Sequence, residues 1–290
     1  MTTEATHDCR THPWTLEDLS EPTKPRTNRW GEIEAGMVVA ENFLDPALVA
    51  DFMDEWKREN GFHCVDENGI LWADSPGGYT DTPYLNHRAL FNLVTDGRVA
   101  EFIEDIIGEP GAVHLCLSPW RTTARNYHQD HYLNELNSAE DRYIALHFAL
   151  DEDTKPDAGV FQSFPGSQRW GRTITKALIS QCVDIRSPDW PKKSEDVLTP
   201  IAYAEAAKHG TIETDYVPKA YTLMGWDPLL WHRGSASPRT DVPKGGSVYR
   251  PALIAHYSGQ RWDMPPMKQS PRGGWYYPFR PLAFDPMEGV

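Results

Sequence analysis

The feature that most constrains this chain is a change of hydrophobic rhythm at Pro110. Before it, apolar residues recur at helical spacing. Asp45 stands in an N-cap position and Pro46 in the first turn, and Leu48, Val49, Phe52, Met53 and Trp56 then line one face. Residues 88–109 read as two further helices broken around Asp96 and Gly97. The second carries a stripe of Val99, Phe102, Ile103, Ile106 and Ile107, and Gly108 closes it. After Pro110 the apolar runs shorten to strand length, at 112–117, 143–150, 159–164, 221–224, 229–231 and 247–257, divided by Gly, Pro and Asp clusters. Helices first and many short strands afterwards predict an α+β chain, mainly β, whose second half is a sandwich or a barrel-like jelly roll with the helices packed on it.

The apolar content suffices for one domain over residues 1–290, since β-rich domains often pass 200 residues. Its parts are read as an N-terminal arm (1–35), a helical region (36–110), a jelly-roll core (111–260) interrupted by an insertion at 172–218, and a C-terminal extension (261–290). The insertion carries a helical patch at 201–208; a stretch that long between strands suits a lid or wall of a site. A formal charge of −14 argues against nucleic acid or an anionic membrane as partner, because phosphate binding needs a basic field. Cys9, Cys64, Cys116 and Cys182 are scattered without a CxxC pair, which fits structural thiols in a reducing compartment. With no apolar leader and no run of about 20 apolar residues, the expectation is a cytoplasmic protein, monomer or homodimer, acting on a small molecule.

Four residues suggest chemistry. His128, Gln129 and Asp130 form a His-x-Asp; on a strand or its end, the first and third side chains share a face and can converge on one ion. Alone, the same pair also suits a hydrogen bond in a surface loop. Far downstream, His232 ends an apolar run at 229–231, where it is read either as a third ligand or as a core histidine bonded to a backbone carbonyl. Two histidines and one carboxylate on one face of an octahedron leave three positions open, the arrangement of non-haem Fe(II) oxygen chemistry. Arg250 heads an apolar strand, and a guanidinium there demands a carboxylate. That carboxylate is a protein Asp or Glu, or the far end of a dicarboxylic cosubstrate held bidentately.

Taken in order, these landmarks resemble the phytanoyl-CoA dioxygenase family of Fe(II)/2-oxoglutarate-dependent oxygenases. The resemblance runs from about residue 40 to 260. It rests on the helix after Asp45, His128-Gln129-Asp130, the run from Ala158 through Phe164, Pro165, Gly166 and Ser167 to Arg169, His232-Arg233-Gly234-Ser235, and the Arg250 strand. It implies a double-stranded β-helix (jelly-roll, cupin-like), with Fe(II) on His128, Asp130 and His232. It also implies that Arg250, with Ser235 or Ser237, grips the far carboxylate of 2-oxoglutarate, while dioxygen takes the last open position. Gln168 departs from the family's Pro-Gly-Ser-His, and residues 240–246 lengthen the path from His232 to Arg250, which makes Arg239 a rival for the carboxylate.

The implied reaction is hydroxylation of an unactivated C–H, coupled to decarboxylation of 2-oxoglutarate to succinate. Asp130 favours this outcome over halogenation, which needs the carboxylate replaced by a small residue. Arg121, Arg125, Asn126, Tyr127, His131 and Tyr132 flank the ligands and are read either as substrate contacts or as packing and solvated surface. An inward arginine would imply an anionic group on the substrate. The expected substrate is a small polar or zwitterionic metabolite: an amino acid, a betaine or an aminoalkylphosphonate. The rival readings are a desaturase, epimerase or cyclase of the same class, and a jelly roll that only holds a ligand.

Overall fold

The computed structural model describes residues 14–60, 65–72, 82–117, 124–134 and 142–287. Its helices are α1 (Leu16–Leu19), α2 (Pro46–Asn60), α3 (Arg88–Val94), α4 (Gly97–Ile107), α5 (Asp130–Leu133), α6 (Lys176–Ile179) and α7 (Trp190–His209). Its strands are β1 (Ser20–Pro22), β2 (Met37–Ala40), β3 (Ile70–Trp72), β4 (Ala112–Leu117), β5 (Tyr143–Ala149), β6 (Phe161–Ser163), β7 (Arg172–Ile174), β8 (Thr214–Tyr216), β9 (Leu223–Trp226), β10 (His232–Gly234), β11 (Gly246–Val248), β12 (Ala252–Ser258), β13 (Lys268–Gln269) and β14 (Trp275–Tyr276).

A seven-stranded sheet in the order β13-β14-β4-β12-β5-β9-β2 forms the base of the molecule. Alternation along its strands sends side chains to two different cores. On one face, Ile144, Leu146 and Phe148 of β5 and Leu253, Ala255 and Tyr257 of β12 join Leu48, Phe52, Ile103 and Ile107 of the helical layer. The helices form where the apolar spacing predicts them. The Asp45 carboxylate accepts from the Ala47 amide at the start of α2, Asp96 caps α4, and Gly108 ends it at φ 80°. On the other face, Tyr143, Ala145, Met224 and Trp226 meet Phe161 of a small sheet, β10-β6-β8. The Phe161 and Trp226 rings lie 5.0 Å apart, so the small sheet closes over the inner face of the large one. This is the expected mainly β jelly roll with helices packed outside. No helix among the described residues is long and apolar enough to cross a membrane.

Several expectations need correction. The described part of the arm is docked: Leu16 and Leu19 are buried, and β1 pairs with β7. Residues 229–231 form a turn, and the strand begins at His232; the 221–224 run is displaced to β9. The single strand expected at 247–257 is two, β11 and β12, in different sheets. The helical patch in the insertion is the end of the 20-residue α7. Pro200 inside that helix and its weak amphipathic pattern hid it, because an interior proline normally signals a break. The C-terminal extension adds β13 and β14 to the edge of the large sheet.

Candidate active site

The metal-ligand candidates sit where the two sheets meet. His128 and His232 pair across an isolated antiparallel bridge, each amide donating to the other's carbonyl at 3.1 Å. Asp130 is the first residue of α5 rather than part of a strand. The two ligand candidates of the His-x-Asp therefore converge because the chain turns from a bridge into a helix, not through strand alternation. His128, Asp130 and His232 are all buried, and one potential ligand atom from each lies within 4.8 Å of the others. Both Nε2 atoms stand 3.8 Å from an Asp130 oxygen, and the imidazole centroids are 4.4 Å apart.

Their protonation fits a metal. Nδ1 of His128 lies 2.8 Å from the Asn126 carbonyl and Nδ1 of His232 lies 3.0 Å from the Leu230 carbonyl. A carbonyl only accepts, so each Nδ1 carries the proton and each Nε2 turns a lone pair toward Asp130. Burial drives both imidazoles below their usual pKa and keeps them neutral, with the Arg125 charge adding to the effect at His128. Trp226 donates its indole N–H to Asp130 Oδ2 at 2.8 Å, leaving Oδ1 less encumbered.

Arg250 is buried at 8% exposure, and its pKa falls to about 10 through burial, so it remains charged near neutrality. Among the described residues it has no carboxylate partner. Nη1 donates to the Gly159 carbonyl at 3.3 Å, and Nε has no acceptor. A buried charge left so incompletely paired calls for an anion. Arg239 is not its rival: its guanidinium is committed to Asp241 at 2.9 and 2.7 Å. Ser235 Oγ accepts from the Val160 amide and keeps its own proton to donate. Ser237 gives its proton to the Asp157 carbonyl and has none left. Both serines hold the turn that presents Gly159 to Arg250.

The flanking residues are engaged with other segments of the chain. Arg125 is ion-paired with Glu195, Asn126 donates to Asp196 at 2.7 Å, and the Tyr127 amide donates to Thr199 Oγ1 at 3.0 Å. Three successive residues of the ligand loop are thus stitched to α7 of the insertion. The Tyr127 hydroxyl goes to Glu213, Tyr132 meets Ser194, and His131 Nδ1 bonds the Ile174 carbonyl. Asn126, Tyr127, His131 and Tyr132 are thus each hydrogen-bonded within the chain, whereas Arg125 also keeps an electrostatic reach to the ligand candidates. Arg121, Cys9 and Cys64 lie outside the described residues, while Cys116 and Cys182 are buried free thiols. Gln168, where the resemblance departs from its pattern, donates to the carbonyls of Ile33 and Glu34 at 3.0 and 3.1 Å. It packs so closely on Gly36 that a Cβ there would stand 2.4 Å from its Oε1. Its role is to fasten the turn before β7 to the segment before β2.

Sequence reasoning passed over four buried polar side chains on the inner side of the barrel: His114, Tyr143, His147 and His256. The signal was available, since Arg250, Ala252, Ile254 and His256 share a parity, as do Tyr143, Ala145 and His147. The Tyr143 hydroxyl is hydrogen-bonded to His256 Nδ1, and Asp130's charge acts on both.

Comparison with known proteins agrees with this geometry. The family model Phytanoyl-CoA dioxygenase (PhyH) matches residues 33–240, which include all three ligand candidates and stop short of Arg250. No curated protein sequence gives a significant match. Among solved structures, EctD from S. alaskensis, with 2-oxoglutarate and 5-hydroxyectoine, is 16% identical; the likeness covers 88% of this chain and 83% of that one, with a TM-score of 0.55. The non-heme alpha ketoglutarate dependent carbocyclase SnoK from nogalamycin biosynthesis is 18% identical over 85% of this chain and 87% of that one, with a TM-score of 0.51. At such identities the likeness is one of fold. The family match over most of the chain goes further, and with it the chemistry of the buried His-Asp-His set has a context: this chain belongs to the phytanoyl-CoA dioxygenase family of oxygenases, whose cofactors are Fe(II) and 2-oxoglutarate.

Proposed function

We propose that the protein hydroxylates an unactivated C–H of a small zwitterionic metabolite, of amino-acid, betaine or aminoalkylphosphonate type. One observation carries the reading: three buried ligand atoms, carboxylate included, converge at one end of the barrel, and a buried guanidinium without a carboxylate waits at the other. His128, Asp130 and His232 would hold Fe(II); Arg250, with Ser235, would hold the far carboxylate of 2-oxoglutarate. With dioxygen these supply the oxidation of the C–H bond, 2-oxoglutarate leaving as succinate and CO2. The chain's own share is to fix the ligands through the Nδ1 bonds, to keep Asp130 in place through Trp226, and to enclose the site between the two sheets.

The substrate class rests on Arg125 and Glu195. They form an opposed pair of charges, and both act electrostatically on His232. Such a pair complements a molecule that carries a cation and an anion together, the anion approaching Arg125 and the cation Glu195.

Anaerobic addition of Fe(II) and 2-oxoglutarate should produce the weak visible charge-transfer band of the chelate, and His128→Ala should abolish it; a band that persists in the variant removes His128 from the site. Substrate is then sought by succinate release from a panel of amino acids, betaines and aminoalkylphosphonates. The expected product is heavier by one oxygen. A product without added oxygen would mean desaturation, epimerisation or ring closure instead.

A further inference from the structure

Along the inner face of β5 the residues are Tyr143, Ala145, His147 and Ala149, and their cross-strand neighbours define three rows. Ala145 lies between His256 and Trp226, and Trp226 holds Asp130. Ala149 lies opposite Ala252, two residues beyond Arg250. Between these rows, His147 lies between Ile254 and Met224. Between the ligand candidates and Arg250 the inner face of β5 therefore carries a small alanine in the row at each end and one polar side chain midway. That side chain is 4% exposed, and its Nε2 has no hydrogen-bond partner. Nε of Arg250 is likewise buried without a partner. His147 lies within reach of the Arg250 charge, and two buried polar groups left so unpaired are costly unless a ligand satisfies both.

We propose that His147 is a second contact for the cosubstrate, donating from Nε2 to the far carboxylate of 2-oxoglutarate while Arg250 supplies the charge. The inference rests on the reading above that 2-oxoglutarate lies between the three metal ligands and Arg250. A neutral donor is what the position allows, since burial and then the Arg250 charge pull the His147 pKa to about 3. The carboxylate so held completes the hydrogen bonding of both side chains and fixes the distance between the two acid groups that the site accepts. His147 thus selects for a dicarboxylic 2-oxo acid, positioning it without touching the metal.

The test uses full-length protein with Fe(II) under anaerobic conditions and two ligands of equal chain length, 2-oxoglutarate and 2-oxopentanoate, which lacks the second carboxylate. Affinity is read from the chelate absorption band, and Fe(II) affinity separately by chelator competition. His147→Phe keeps a buried ring and removes the donor; it should weaken 2-oxoglutarate roughly ten- to a hundredfold, the range of a hydrogen bond to a charged group. It should leave 2-oxopentanoate and Fe(II) binding unchanged. His147→Gln restores an N–H and should recover most of the loss. Equal weakening of both ligands, or none of either, would overturn the proposal while leaving the cosubstrate site intact. Failure of the wild-type protein to bind 2-oxoglutarate at all would overturn that site as well.

Discussion

The indole of Trp226 reaches Asp130 Oδ2 from the inner face of β9 and packs its ring against Phe161 at 5.0 Å and His232 at 5.2 Å. It therefore orients the one anionic ligand candidate and buttresses one of the imidazoles. Trp226→Phe keeps an aromatic ring and deletes only the donor. Such outer partners of metal ligands are worth about ten- to a hundredfold in affinity, so Fe(II) binding, followed by chelator competition, should fall by about that factor with the fold retained. An unchanged affinity would show that the bond does not hold Asp130. At this scale the three ligand candidates were legible because two histidines and an aspartate stood in order among landmarks that the resemblance supplied. Tyr143, His147 and His256 were not, because parity groups them on one face of their strands but does not say that this face is the inner one until the sheet is assembled.

α7 shows how an element can matter to a site it does not enter. Glu195, Asp196 and Thr199 engage Arg125, Asn126 and Tyr127 in turn, and the Asn126 carbonyl is what fixes the His128 ring. Thr199→Val preserves shape and leaves the Tyr127 amide without its acceptor, at a cost of about 1–3 kcal/mol. The urea midpoint should drop accordingly. Metal affinity should fall with it, because the loop that orients His128 loosens; a stability loss with unaltered metal binding would separate the helix from the site. The helices α2 and α4 were readable from apolar spacing and caps. Most of α7 was not: Trp170, Tyr127, Phe164 and Trp231 provide the surface it covers, and that surface exists only once distant segments meet. The boundaries of β9 and β10 slipped for a related reason. Leu229, Leu230 and Trp231 are buried as completely as any strand, yet they lie in a turn that delivers His232.

Across the whole molecule, burial of imidazole sets the response to pH. His114, His128, His147, His232 and His256 all have pKa values below the usual histidine range, with desolvation as the largest cause at each. In the unfolded chain these side chains take up protons near pH 6.5, while in the fold they stay neutral to lower pH. Below about 6.5 the unfolded state therefore binds more protons, and stability is lost as pH falls, by up to about 1.4 kcal/mol per pH unit for each such histidine. Asp227 acts in the opposite sense: burial raises its pKa despite the ion pair with Arg26, so its contribution is present at low pH and lost as pH rises through the raised value. Among the described residues, one carboxyl with a raised pKa against five depressed imidazoles leaves the histidines in control between pH 5 and 6.5, a window above that of ordinary exposed carboxylates. Urea midpoints of the metal-free protein should thus be nearly level from pH 8 to 7 and decline steeply from 6.5 to 5. A level profile down to pH 5 would mean that these imidazoles reach water and protonate within the fold, and the closed polar interior assigned to the barrel would then be wrong.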